Sequence, residues 1–222
     1  MTNETMHHKR FQIDRIALFS DAVFAIAVTL LIIEIKVPHV APSATDAGIW
    51  EKLEEMVPEL MGFLISFFVI SLYWLTHHRL FSFIINYNQK LLANNLLFLL
   101  SIVIMPFSSA FYSAYFATAT KIPMAFYVAN ICFSGLMSYR LWKIVSKPGS
   151  GLSEGLENRV LLRYFFVRSL LVPSTFVLVF LLSLLIGSYA YYASFLILFA
   201  NRIIGAYYHK KHPEIFSSPQ LK

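Results

Sequence analysis

The chain predicts an all-α membrane protein, and three observations carry that prediction. Of 222 residues, 58% are hydrophobic and only 14% charged, with 21 Phe and 12 Tyr, whereas a soluble domain carries about 25% charge. Six apolar stretches are each long enough to approach the ~20 residues that a helix needs to cross a bilayer. The basic residues fall in alternate connections between those stretches, which accounts for the net charge of +6 without a nucleic-acid partner.

The stretches are taken in chain order as residues 16–37, 58–80, 91–117, 122–145, 162–186 and 189–209. The first, "RIALFSDAVFAIAVTLLIIEIKVP" with its flanks, follows the polar "MTNETMHHKRFQ" and shows no small-residue cleavage site. It is expected to be a retained span, not a removable signal. The connection 38–57 holds Asp46, Glu51, Glu54 and Glu55 and reads as a solvated loop with a short amphipathic helix at 49–56. The third stretch contains Pro106, expected to kink its helix, and Ser108, Ser109 and Ser113, expected to bond between helices. The segment 143–163, with "SKPGSGLSEGLEN", is rich in Gly, Ser and Pro and reads as a flexible loop. The uncharged run 169–201 would be about 50 Å as one helix at ~1.5 Å per residue. That is too long for one span, so a tight reversal at Gly187 and Ser188 is expected, with Arg168 and Arg202 snorkelling to the interface. Neither a second domain nor an internal duplication is visible. Cys132 is the single cysteine and excludes an intrachain disulfide.

Orientation follows from charge. Six spans put 15 of the 18 Lys and Arg on one side, leaving Lys36, Lys52 and Lys121 on the other. The positive-inside rule then places both termini in the cytoplasm. An odd number of spans would strand "HKKH" at 209–212 on the outer side.

The first span carries charges that demand an explanation. Asp21 lies inside the helix, where an ionised group costs ~2.5–3.5 kcal/mol on insertion scales. Arg15 and Asp21 are six residues apart, about 600° around a helix, so they point to different faces. Both are expected to reach neighbouring helices, in a network of Arg15, Ser20, Asp21, Trp74 and His77, with Asn94 and Asn95 at comparable depth. On the same span Ile26, Leu30 and Ile33 follow an i, i+4, i+7 spacing and form one apolar stripe, continued by Val23 and Phe19, with Thr29 on its border.

Arg15, Phe19, Ser20 and Asp21 form an R-x-x-x-F-S-D pattern that resembles the signature of the transmembrane protein 175 family, the lysosomal potassium channels and their bacterial relatives. The continuation "AVFAIAVTLLIIEIKVP" and the later "YWLTHHRLF" are similar to that family too. The whole chain has the length of a single-repeat bacterial member. The resemblance implies a homotetramer in the inner membrane of a bacterium, six spans per subunit, with the first helix of each lining a central pore. It implies a potassium-selective channel with a hydrophobic constriction at Ile26, Leu30 and Ile33, a selectivity layer at Thr29, and a scaffold of Arg15, Phe19, Ser20, Asp21, Trp74 and His77. The TVGYG filter of ordinary potassium channels does not occur in the sequence.

No enzymatic motif stands in its required context: H-E-x-x-H and the phosphate loop G-x-x-x-x-G-K-[ST] are absent, and "GLSEG" at 151–155 matches G-x-S-x-G in spacing alone, inside the Gly- and Ser-rich connection and without the strand-to-helix turn that motif needs. His77 and His78 are adjacent, so their side chains diverge by roughly 100° and make a poor metal pair. No cofactor and no metal beyond transient potassium are expected; the expected partners are potassium ions, the lipid bilayer and further copies of the chain. The alternative reading is a proton-coupled secondary transporter using Asp21 or Glu34, for which inverted repeats would be the sign.

Overall fold

A computed structural model describes residues 3–43, 45–116 and 118–213, with side chains from Arg10 onward except those of 188, 189 and 191. Among the described residues lie seven α-helices and one 3-10 segment: α1 (Asn3–Ile33), α2 (Asp46–Glu55), α3 (Val57–Phe81), α4 (Gln89–Ala114), α5 (Ile122–Val145), α6 (Arg159–Ile186), the 3-10 turn Ser188–Phe195 and α7 (Leu196–Lys211). Among the described residues five helical stretches are long and apolar enough to cross a membrane: Arg10–Ile33 of α1, and α3, α4, α5 and α6. The chain is therefore a multi-pass membrane protein.

The helix ends follow local chemistry. Helix α1 stops at Ile33, four residues short of the expected 37, because Pro38 lacks an N–H and its ring would clash with the carbonyl of residue 34 if the helix continued. At the other end α1 runs back to Asn3, so Arg15 lies well inside a helix instead of at its start. Helix α2 begins three residues earlier than the expected 49 because the Thr45 hydroxyl accepts from the Gly48 N–H. Asn88 caps α4 at the Leu91 N–H, and Asn158 caps α6 at the N–H groups of Val160 and Leu161. Proline opens α3 and α5 in their first turn, where its missing donor costs nothing. Helix α4 ends at Ala114, while the expected boundary at Ala117 falls outside the described residues, as do Met1, Thr2 and 214–222. The 143–163 segment is tied down, with Ser153 donating to the Val145 carbonyl and the Glu154 N–H to the Phe83 carbonyl.

The expected sixth span at 189–209 departs from a single helix. Gly187, at φ 76°, ends α6 in a conformation that costs other residues strain. The chain then makes the 3-10 turn before the 16-residue α7. Helix α7 folds back along α6, for the Tyr164 and Tyr208 rings meet with centroids 5.1 Å apart.

The core forms around α4, which touches α1, α3 and α5, while α6 packs on α5. Phe98, Ile102 and Met105 of α4, Val69 and Ile70 of α3 and Tyr127 and Ile131 of α5 are fully buried. Polar side chains bind the helices together at the same depth. Asn130 donates to the Ser101 carbonyl, Tyr73 to that of Ile131, and Ser66 to Ser109, which donates in turn to the Gly62 carbonyl. Helix α4 passes through Pro106 without a break.

Close approach of α5 and α6 depends on Gly135, where a Cβ would collide with the ring of Pro173. Gly135→Val is therefore expected to destabilise the purified protein by ~1–3 kcal/mol, read as a lowered unfolding temperature in detergent. An unchanged temperature would show that the two helices can move apart.

Candidate functional site

Helix α1 has two faces. Ile13, Ser20, Phe24, Ala27 and Leu31 are buried against the bundle, at spacings of seven, four, three and four residues that mark one helical stripe. The opposite side carries the apolar residues singled out above: Ile26 is 58% exposed, Leu30 39% and Ile33 68%, with Phe19 also exposed. Thr29 lies exposed beside them, and its hydroxyl donates to the Ile26 and Ala25 carbonyls at 2.9 and 3.1 Å. Its proton is thus committed to its own helix. Its oxygen keeps lone pairs that can accept from outside the helix.

On the buried side the structure brings most of the expected polar network together. Trp74 Nε1 on α3 donates to Asp21 Oδ1 at 2.9 Å. His77, 3% exposed, meets Asn95 Oδ1 through Nε2 at 2.8 Å. The Asn95 amide donates to Ser20 Oγ at 3.0 Å, and Ser20 donates to the Ile16 carbonyl at 2.8 Å. With Nε2 of His77 as donor, every proton in this chain points the same way and each acceptor is filled. Phe24, Phe81 and Phe98 surround the imidazole, the last nearly parallel to it at 5.6 Å.

Two residues stand outside that arrangement. Arg15 is exposed and makes no hydrogen bond or ion pair among the described residues, so its expected place in the network is not met within one chain. The reason is angular: Arg15 and Ile26 are eleven residues apart, within about 20° of the same direction on a helix, so Arg15 belongs to the outward face. Phe19 lies outward as well. Asn95 does more than the sequence suggested, since depth alone placed it near the network and gave no sign that its amide bridges α1 and α3. The available signal was an amide inside an apolar span, which must find partners.

At the acidic end, Glu34 and Lys36 beyond α1, Glu59 of α3, and Ser109 and Ser113 of α4 line a cavity of about 250 Å³. Among the described residues no three His, Cys, Asp or Glu side chains converge as a metal-ligand set.

Comparison with known proteins gives a consistent picture. Residues 15–106 match the family described as endosomal/lysosomal potassium channel TMEM175. A potassium channel of Streptomyces collinus is 33% identical over 137 residues, which is 61% of this chain and 65% of that protein. One from Chamaesiphon minutus is 35% identical over 130 residues, 58% of this chain and 64% of that one. The chain thus spans just under two thirds of the length of these relatives. The crystal structure of a lysosomal potassium-selective channel TMEM175 homologue from Chamaesiphon minutus superposes with a TM-score of 0.72. It has 26% identity and covers 86% of this chain and 97% of its own.

Replacing Asn95 with Leu leaves the buried His77 donor without an acceptor. Asn95→Leu is expected to cost ~1–2 kcal/mol of stability. Trp74→Phe, which frees only the half-exposed Asp21, should cost less. Unfolding temperatures in detergent check the order, and a larger loss in Trp74→Phe would contradict it.

Proposed function

We propose, from the match of residues 15–106 to the endosomal/lysosomal potassium channel TMEM175 family and the likeness to a solved bacterial homologue, that the chain is a member of that family and a potassium-selective cation channel. Four copies assemble around a central pore lined by α1, in the inner membrane of a bacterium with both termini cytoplasmic. The observation that carries this reading is the outward face of α1. Ile26, Leu30 and Ile33 cover it with apolar surface that the chain's own fold leaves exposed, while the other face is fixed to α3 and α4.

Around a fourfold axis these three residues form stacked apolar rings. Such rings hold ions back by excluding water from a narrow passage. Thr29 adds a ring of hydroxyl oxygens whose protons already serve the helix backbone, so four acceptors face the axis and replace part of a cation's hydration shell. The single domain, residues 1–222, supplies six crossings. The sixth consists of the 3-10 turn and α7, eight and 16 residues long, which rise about 16 Å and about 24 Å. Contact between Tyr208 and Tyr164 supports it, since it returns the end of α7 to the level where α6 begins. In the assembly Arg15 and Phe19 share the direction of Ile26 and so stand toward the axis at the N-terminal side of α1, where neighbouring copies of the helix approach one another, whereas Ser20, Asp21, Trp74 and His77 hold α1 at its angle from within.

Reversal potentials of protein-containing liposomes under potassium and sodium gradients test the reading. A potential near the potassium equilibrium value is expected. Ile26→Asn should wet the narrowest ring and raise potassium flux at matched protein amounts, and Thr29→Val should shift the potential toward the sodium value. Saturating flux coupled in fixed ratio to protons would contradict the channel. Unchanged flux in a well-assembled Ile26→Asn protein would remove Ile26 from the constriction.

A further inference from the structure

The basic end of α6 carries a feature that ion passage does not use. Arg159, Leu162, Arg163, Phe166, Val167 and Leu170 line a shallow groove of about 380 Å³ on the outside of the bundle. They recur at spacings of three, one, three, one and three, so all lie on one helical stripe. The upper part is almost wholly apolar, and the two guanidinium groups stand at its mouth. Both arginines are exposed, and neither forms a hydrogen bond or ion pair among the described residues. By contrast, Arg168 on the same helix donates to Tyr164 Oη at 2.8 Å.

We propose that this groove binds an anionic phospholipid of the leaflet at the basic end, its phosphate held by Arg159 and Arg163 and an acyl chain lying along Leu162, Phe166, Val167 and Leu170. The dimensions agree. The eleven helical steps from Arg159 to Leu170 rise about 16 Å, close to half of a ~30 Å hydrocarbon layer, so the groove reaches from the headgroup level to about the bilayer centre. The charges agree too. Two forked donors without protein partners match a phosphate geometrically, and Lys211, whose charge interacts with that of Arg163, adds positive potential at the mouth. The first N–H groups of α6 are already taken by Asn158, so the side chains supply the recognition. A second copy of the chain fits less well, because its surface at this level is itself dominated by Lys and Arg. The proposal rests on the membrane placement of α6 and stands apart from the ion that the protein conducts.

Native mass spectrometry of the full chain in detergent, titrated with phosphatidylglycerol or phosphatidylcholine, tests it. The parent protein should retain phosphatidylglycerol preferentially, and Arg159→Gln with Arg163→Gln should lower that preference by about fivefold for each guanidinium removed. Val167→Trp, which fills the groove, should weaken retention of both lipids. The charge-matched pair Lys143→Gln with Lys147→Gln, on α5 and the exposed loop beyond it, should leave the preference as it was. If the double arginine variant does not purify, Arg163→Gln alone carries the same expectation. Equal losses in the lysine pair would reduce the effect to general surface charge and overturn the site. So would a parent-like preference in the arginine variants, or a change in subunit number with lipid preference unaltered, which would assign the groove to contact between copies.

Discussion

One amide fixes the rotation of α1. Asn95 of α4 accepts from His77 of α3 and donates to Ser20 of α1, so three helices meet at one polar point inside an apolar bundle. Lipid tails are as apolar as a leucine, so burial of hydrocarbon contributes little to helix association in a membrane. Packing and interhelical hydrogen bonds must decide which faces meet. With Ser20 held inward, Phe24, Ala27 and Leu31 follow it into the core. Ile26, Thr29, Leu30 and Ile33 are turned outward as a necessary consequence.

Asp21 then acquires a partner it could not find on its own helix. The indole N–H of Trp74 reaches it, and Trp74 stacks on His78 with ring centroids 5.4 Å apart. The carboxylate stays half exposed, so it keeps some of the hydration that makes its depth tolerable. Across the bundle, Ser66, Ser109 and Tyr127 form a second polar knot. It joins α3, α4 and α5 at a level where the sequence offered only the serines of α4 as a hint.

The spans of α3 and α5 were legible almost to the residue, because proline opens each helix and the basic residues near the other end leave little room for error. Helix α1 was not, since its end depends on a proline five positions beyond the last helical residue. The turn after Gly187 was visible as a reversal, yet "SYAYYASF" has no periodicity that separates a 3-10 turn from an α-helix. Polar residues could be placed at a common depth by counting along the spans. Depth does not give direction, however, and direction is what made Asn95 the bridge and left Arg15 outside. The phase of Arg15 relative to Ile26 was available in the numbering. It becomes informative once one face of α1 is known to be buried.

The central claim is that the outward face of α1 meets ions, and a single cysteine tests it most directly. Ile26→Cys would be made in a Cys132→Ala background, reconstituted in liposomes, and exposed to a small, water-borne, thiol-reactive cation while potassium flux is followed. Modification should block the flux, because the reagent can reach residue 26 only through a wetted pore, and Leu184→Cys on the exposed side of α6 should remain unaffected. Undiminished flux through fully modified Ile26→Cys protein would contradict the account and return this face of α1 to lipid or to packing between copies.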